Sequence, residues 1–177
     1  YILFYNKDLV TTPPATFDEL ISQAAQITAD KGGQGISGSV MRGIRSDTIM
    51  DTLSGVVWNS WGAADAPTPY GMWFDGAWDK PRLTDPGVCE GLSNYGRLLA
   101  AGPANKFAID WPDANTLFSQ GKAAYFIDAS LFGPGYENPE TSQIVGKGGY
   151  AVIPPAAAGG ESFTGHWLWG LGIPKSA

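Results

Sequence analysis

The chain has 177 residues, of which 44% are hydrophobic and 16% are charged, a composition typical of a folded globular domain. The formal net charge is −6 and no basic patch is visible, which argues against nucleic acid and anionic membranes as partners. No apolar run reaches the roughly 20 residues that a membrane-spanning helix needs, so we expect no direct membrane insertion by this region. Neutral and cationic small molecules remain open as ligands.

The apolar periodicity predicts short strands that alternate with amphipathic helices. In the first half of the chain it predicts a strand over 1–5, a helix from Thr16 to Lys31, a strand over 36–40, a helix over about 47–58 and a long loop over 62–83. In the second half it predicts a helix over about 85–102 and a short helix that begins at 111–113 and ends at Gly121. Three further strands are predicted over 123–127, 150–153 and 165–173. Four helices and five short strands indicate an α/β fold.

Local signals mark several of these boundaries and inner faces. Thr16 and Glu19 have the spacing of a capping box. Asp85-Pro86 is a favourable N-cap and first-turn pair. The apolar side of the second helix is expected to consist of Ile49, Met50, Leu53 and Val57. The inner side of the third is expected to consist of Val88, Leu92, Tyr95 and Leu99.

The sequence offers no pattern for a metal or a cofactor. It has one histidine and one cysteine, and its carboxylates form no clustered repeat. The segment Gly32-Gly33-Gln34-Gly35 lacks the lysine and the strand–loop–helix setting of a phosphate-binding loop. Cys89 has no cationic neighbour in sequence, so we expect a small core residue there. We therefore predict that no cofactor is bound.

The last thirteen residues, 165–177, contain the only histidine and two of the seven tryptophans. In a strand, Trp167 and Trp169 would share one face and His166 would lie on the other. Paired indoles and an imidazole can stack on, and hydrogen-bond to, a flat polyhydroxylated molecule. The alternative is a buried core strand.

Three segments, in this order and spacing, resemble a known family. The first segment is Phe-Tyr-Asn-Lys-Asp-Leu at 4–9 with Thr-Phe-Asp-Glu-Leu at 16–20. The second is Phe-Ser-Gln-Gly-Lys-Ala-Ala-Tyr-Phe-Ile-Asp at 118–128. The third consists of Gly-Gly-Tyr-Ala at 148–151, Gly-His-Trp at 165–167 and Ile-Pro-Lys at 173–175. The chain thereby resembles the maltose-binding-like extracellular solute-binding proteins of bacterial ABC sugar importers. His-Trp-Leu-Trp at 166–169, with 42–43 and 127–129, is most similar to the binders of polyols.

This resemblance implies a fold and a function. The fold would be that of type II periplasmic binding proteins, with a short mixed sheet surrounded by helices. Residues 1–177 would form a single lobe, the second domain of a two-lobe protein whose other lobe is absent from this chain, and the end strands would lie at the hinge. The protein would bind a sugar or polyol between its lobes and deliver it to ABC permease subunits. It would not be an enzyme, and its location would be periplasmic or extracellular, with or without a lipid anchor.

Sugar recognition requires aromatic planes for C–H faces and charged groups for hydroxyls. Arg42 follows a predicted strand and could grip two vicinal hydroxyls, or it could be a surface arginine. Asp128 follows another strand and could accept hydroxyl hydrogens, cap the next helix, or do both. Trp111 lies at a loop–helix junction that would face the cleft. The resemblance places Trp167 at the ligand, with His166 beside it. Further expected contacts are Asn59, Trp61, Asp110 and Trp169.

Two alternatives to a sugar binder stay open. A glycoside hydrolase requires two carboxylates with separated pKa values, and no acid here has a sequence setting that produces such a separation. The candidate acids are Asp75, Asp79, Asp110, Asp113 and Glu137. The same binding fold could also take a polyamine or a peptide, which the acidic charge permits.

Overall fold

The structure, a computed structural model, describes residues 1–61, 73–74, 78–165 and 170–175. Within these ranges the strands are β1 (Ile2–Asn6), β2 (Ser37–Val40), β3 (Ala123–Asp128) and β4 (Gly148–Ala151). The α-helices are α1 (Phe17–Lys31), α2 (Ile49–Trp61), α3 (Pro86–Ala100), α4 (Trp111–Ser119) and the one-turn α5 (Gly133–Tyr136). No helix in the described ranges has both the length and the apolar character needed to cross a membrane.

The four strands form one mixed sheet in the order β2-β3-β1-β4. β2 runs parallel to β3, with Ser39 opposite Tyr125, and β1 runs antiparallel to both β3 and β4. The carboxyl ends of β2, β3 and β4 therefore lie at the same edge as the amino end of β1. In α/β folds this carboxyl edge is where ligands bind.

Helices cover both faces of the sheet, which confirms the expected α/β fold. On one face, Leu3 and Ile127 pack with Leu20 of α1 and Leu98 of α3. On the other face, the ring of Phe4 forms the centre of an aromatic cluster. Its ring centroid lies within about 6 Å of four other aromatic rings, those of Phe118, Phe126, Tyr136 and Tyr150. Because both faces are covered, every residue of β3 is buried.

Several predicted boundaries are confirmed. Thr16 Oγ1 accepts from the Glu19 amide at 3.2 Å at the start of α1. Gly121 follows α4 with a φ of +71°, the left-handed conformation that glycine adopts without strain. The predicted strand over 150–153 is found two residues earlier, as β4. In the predicted strand over 165–173, Gly165 and residues 170–173 lie in no strand, and residues 166–169 lie outside the described residues. Most of the predicted loop over 62–83 also lies outside them.

The glycine at position 38 brings α1 directly onto β2. A Cβ atom placed on Gly38 would lie 1.7 Å from the carbonyl oxygen of Ala24. That oxygen belongs to the backbone of α1, so it cannot move aside as a flexible side chain would. The hydroxyl of Thr28 also accepts from the Gly38 amide at 2.7 Å. The position of β2 is thus fixed by backbone contact with a helix.

The predicted apolar side of α2 is confirmed at Val57, which is buried, and at Ile49 and Leu53, which pack against the core, but it is wrong at Met50. Met50 is 41% exposed, whereas the small or polar residues Thr52, Gly55, Asn59 and Ser60 are buried. The reason is close packing against α3, where a Cβ on Gly91 would lie 2.4 Å from the Val57 Cα atom. Small side chains allow this approach, and the buried hydroxyl of Ser60 accepts from Asn94 Nδ2 at 3.1 Å.

The predicted inner face of α3 is confirmed at Val88 and Tyr95 and is wrong at Leu92, where this helix packs closely on α2. Its buried side includes Val88, Gly91, Tyr95 and Leu98, at helical spacing. Leu92, expected inside, is exposed, because Gly91 and not Leu92 meets α2. Cys89 follows Val88 on the exposed side, so the expectation of a core cysteine was wrong.

Candidate functional site

Arg42 and Asp128 form a buried ion pair at the carboxyl edge of the sheet. Arg42 lies two residues after β2, and Asp128 is the last residue of β3. Because these strands are parallel neighbours, the two side chains meet. Arg42 Nη2 donates to Asp128 Oδ1 at 2.6 Å, and Nε donates to Oδ2 at 2.9 Å. The side chains are 5% and 0% exposed, so a bidentate pair is enclosed in the protein.

The remaining donors of Arg42 bind the start of α2. Nη1 donates to Asp51 Oδ2 at 3.0 Å and to the Thr48 carbonyl at 2.9 Å. Four of the five N–H groups of the guanidinium are thereby used. Burial opposes the charge of Arg42, but the hydrogen bonds and charge of Asp128, together with Asp51, outweigh it and raise the pKa of Arg42. We call Arg42, Asp51 and Asp128 the charged triad.

Tyr95 of α3 is hydrogen-bonded to the backbone of Arg42. Its hydroxyl donates to the Arg42 carbonyl at 2.7 Å and lies 2.9 Å from Thr52 Oγ1. Burial raises the pKa of Tyr95, which keeps the phenol protonated. Both α2 and α3 therefore bind the loop that carries Arg42.

Replacing Tyr95 with phenylalanine should leave the Arg42 carbonyl without its donor. Such a buried unsatisfied group costs about 1–3 kcal/mol, and we expect a loss of about 2 kcal/mol in the free energy of unfolding. Urea denaturation monitored by circular dichroism measures it. Tyr5→Phe is the control, since no described residue bonds the Tyr5 hydroxyl, and it should change stability by less than about 0.5 kcal/mol. Equal effects of the two variants would contradict the assignment.

A cavity of about 360 Å³ lies beside the charged triad, between α2 and residues 163–165. Its lining includes Tyr1, Asp51, Ser54, Trp58, Trp73 and Phe163. The indole of Trp58 stacks on the ring of Phe163, with centroids 5.8 Å apart and planes 26° apart. The walls are thus mainly aromatic and apolar, with one carboxylate at the side of the triad. An apolar cavity with a few directed polar groups is the usual form of a small-molecule site.

Asp51 supplies a hydrogen-bond acceptor to this cavity, its Oδ1 atom. Its Oδ2 atom is bound by Arg42, whereas no described residue donates to Oδ1. The Ser54 hydroxyl is already used, since it donates to the Met50 carbonyl at 2.6 Å and accepts from Trp73 Nε1 at 3.3 Å. Burial, and next the charge of Asp51, raise the pKa of the Tyr1 phenol to about 12, so it is protonated at neutral pH.

Asn59, predicted as a ligand contact, is bonded to the wall of the cavity. Its Nδ2 donates to the Phe163 carbonyl at 2.7 Å, and its Oδ1 accepts from the Phe163 amide at 2.8 Å. Nδ2 also donates to the Gly55 carbonyl at 2.8 Å. On the other side of this segment, the backbone nitrogen of Tyr1 donates to the Gly165 carbonyl at 3.1 Å. Asn59 is fully buried, and its amide group is spent on these bonds.

Asp110 and Trp111 join the triad through Thr48. Asp110 Oδ1 accepts from the Trp111 amide at 2.8 Å and from Thr48 Oγ1 at 2.6 Å. The indole of Trp111 is 41% exposed and stacks on Phe132, with centroids 5.7 Å apart and planes 10° apart. Phe132 stacks in turn on Phe126 of β3. A half-exposed aromatic plane is thus supported by the core, next to the triad.

The structure therefore brings together Arg42, Asp128, Asp110 and Trp111 at one edge, and it separates Trp61 from them. The Trp61 ring lies under the Arg82 guanidinium, 4.8 Å from the centroid, and does not line the cavity. His166, Trp167 and Trp169 lie outside the described residues, so their predicted roles stay predictions. In the described ranges, no group of three or more His, Cys, Asp or Glu side chains could hold a metal ion.

Sequence reasoning missed Asp51 and Ser54. A usable signal existed, because residues 51, 54, 55 and 58 recur at helical spacing and so share one side of α2. That helix begins shortly after Arg42. The pattern was hidden because these residues are mixed polar and aromatic and form no apolar stripe.

Comparisons with known proteins agree with this architecture. The curated "Mannitol-binding protein" of Pseudomonas aeruginosa is 27% identical over 185 residues, which cover 99% of this chain and 39% of that protein. A solute-binding protein from Agrobacterium vitis with bound D-mannitol superposes with a TM-score of 0.74 at 27% identity, covering 87% of this chain and 36% of the other. One from Agrobacterium radiobacter in complex with ribitol has a TM-score of 0.73 at 26% identity, covering 91% and 38%.

The chain thus spans less than two-fifths of the length of each of these three relatives. The likeness to both solved structures extends over most of this chain, which agrees with the mixed sheet and flanking helices described above. The family model for the bacterial extracellular solute-binding proteins matches residues 1–177, the whole of the chain. The chain belongs to the bacterial extracellular solute-binding protein family.

Proposed function

We propose that this chain is one lobe of the solute-binding component of a bacterial ABC importer and that it binds a sugar or a sugar alcohol. The observation that carries the proposal is the cavity at the carboxyl edge of the sheet. Its aromatic walls stand beside Arg42, as does the Oδ1 atom of Asp51, to which no described residue donates. Aromatic planes suit C–H faces, and a carboxylate oxygen suits hydroxyl hydrogens.

In this proposal the charged triad positions the ligand-facing groups. Asp128 is fully enclosed and its two oxygens accept from Arg42, and Oδ1 also accepts from the Ala129 amide at 2.7 Å. It therefore orients Arg42, which in turn orients Asp51 toward the cavity. Trp111, which stacks on Phe132, provides a second aromatic plane. It is linked to the triad through Asp110 and Thr48.

Sugar alcohols are the favoured ligands because two of the similar proteins are described with such molecules bound. These are D-mannitol and ribitol, both uncharged and rich in hydroxyls. The P. aeruginosa relative is likewise named for mannitol. An uncharged, open-chain polyol presents alternating C–H and O–H groups, which match a cavity with aromatic walls and one carboxylate oxygen.

The second wall of the site would come from the rest of the protein. Relatives are more than twice as long as this chain, which supports a two-lobe protein with a ligand between its lobes. Closure about the hinge would capture the ligand and present it to the permease, outside the cytoplasmic membrane. No bond is made or broken in this cycle. Two acids of the hydrolase alternative, Asp110 and Asp113, are hydrogen-bonded into the capping box of α4, and a third, Asp75, lies outside the described residues.

Isothermal titration calorimetry of the complete two-lobe protein tests the proposal. The panel is D-mannitol, ribitol, D-glucose, maltose and spermidine. We expect at least one sugar or polyol to bind with a Kd of about 1 µM or tighter and to be recovered unchanged by chromatography. Binding of spermidine alone, or release of glucose from maltose, would contradict the proposed function.

A further inference from the structure

We infer that Asp51 sets the charge specificity of the site: its Oδ1 atom selects ligands that offer a hydrogen-bond donor and excludes anionic sugars such as sugar acids and sugar phosphates. This inference rests on the proposed function and narrows its ligand class. It also moves the ligand-facing carboxylate from Asp128, where the sequence placed it, to a residue of α2.

The first step is the position of the carboxylate. Asp51 is 21% exposed at its side chain and lines the cavity, whereas Asp128 is 0% exposed and does not. Arg42 binds only the Oδ2 atom of Asp51. The Oδ1 atom keeps its lone pairs for a ligand, and an ionised carboxylate can only accept hydrogen bonds.

The second step is the charge balance of the triad. Asp51 and Asp128 contribute −2 and Arg42 contributes +1, so the triad has a net charge of −1. No lysine or arginine is among the described residues that line the cavity. Lys106 lies over the ring of Phe107, 5.9 Å from its centroid, and Arg45 is exposed in the loop after Arg42. An anion in the cavity would therefore face a carboxylate without a cation of its own.

The third step concerns hydrogen-bond donors, since the described lining residues offer no charged donor that could compensate. The Ser54 hydroxyl hydrogen is spent on the Met50 carbonyl. The Thr164 hydroxyl is spent on the backbone of Tyr1. Two neutral donors remain among the described lining residues, the protonated Tyr1 phenol and Trp58 Nε1, to which no described residue is bonded. Neutral donors do not balance a full charge. A hydroxyl group donates to Asp51 without repulsion, whereas a carboxylate or a phosphate has only acceptor oxygens at neutral pH.

The test compares D-mannitol with D-mannonate, which has the same six carbons and an ionised carboxylate at pH 7.5. Calorimetry of the complete protein measures both affinities. We expect the wild type to bind the hexitol at least ~100-fold more tightly, because like charges at an interface are strongly unfavourable. In Asp51→Asn we expect ~10-fold weaker hexitol binding and a hexitol-to-hexonate ratio below ~10.

Asp47→Asn is the matched control, since it removes the same charge from an exposed residue just before α2. It should leave both affinities and their ratio unchanged. Equal binding of hexitol and hexonate by the wild type would overturn this inference alone, whether or not the Asp51→Asn variant folds. An unchanged ratio in folded Asp51→Asn would overturn it too. Failure of every sugar and polyol to bind would instead overturn the proposed function.

Discussion

Replacing Arg42 with methionine is expected to destabilise the folded protein by about 3–5 kcal/mol, since Asp128 would be left buried without its cation. Methionine keeps much of the side-chain length and removes all five donors. Urea denaturation of the wild type and the variant measures the difference. Arg45→Met, at an exposed position of the same loop, should change the free energy of unfolding by less than about 0.5 kcal/mol.

A double variant separates the stability of the pair from its role in binding. Arg42→Met with Asp128→Leu removes both charges, and replacing a whole buried pair by apolar residues is often neutral. We expect it to regain most of the lost stability but to bind ligand poorly, because Asp51 loses the guanidinium that orients it. A double variant as unstable as Arg42→Met alone would show that the uncompensated charge is not the cause.

The second large effect is expected at Gly38. Alanine there would place its Cβ atom 1.7 Å from the Ala24 carbonyl oxygen, so α1 or β2 would have to move. Overpacking against rigid backbone costs about 3 kcal/mol or more. Because β2 leads directly to Arg42, the shift should also weaken ligand binding. Thermal unfolding and calorimetry on the same sample measure both effects.

Gly33→Ala is the control for Gly38→Ala. A Cβ atom on Gly33 would meet nothing within 4 Å, and its backbone conformation suits an L-residue. Both variants add one methyl group to the same part of the chain. We expect Gly33→Ala to be neutral or slightly stabilising, since alanine lowers the entropy of the unfolded chain. A similar loss in both would exclude the backbone contact as the explanation.

The local signals in the sequence were sufficient for most elements. The N-cap at Thr16 and the left-handed Gly121 each depend on a few neighbouring residues, and both were confirmed. The capping box itself is only half formed, because the Glu19 carboxylate accepts from the Ala15 amide rather than from that of Thr16. Arg42 and Asp128 were also singled out correctly as residues at strand ends. Their pairing was not predicted, because they are 86 positions apart and meet only through the parallel pairing of β2 and β3.

The inner faces of α2 and α3 include buried residues that an apolar sequence pattern cannot identify. Gly91 has no side chain to mark it as buried, yet it is the point where the two helices touch. Thr52 is polar and formed no part of the predicted apolar side, yet it is buried and its hydroxyl lies 2.9 Å from that of Tyr95. Which face of a helix is buried depended here on a tertiary contact. The same error hid the face of α2 that carries Asp51 and Ser54.

The two bonds between Asn59 and Phe163 have a mechanical consequence. A carboxamide that both donates to and accepts from one residue imitates a peptide group of a neighbouring strand, although it belongs to a helix. Residues 163–165 are therefore held by α2 on one side and by Tyr1, which precedes β1, on the other. Asp51 lies eight residues earlier on that rigid helix, about 12 Å along its axis. A displacement of the 163–165 segment would therefore have to break the bonds to Asn59 or move the helix that also carries Asp51.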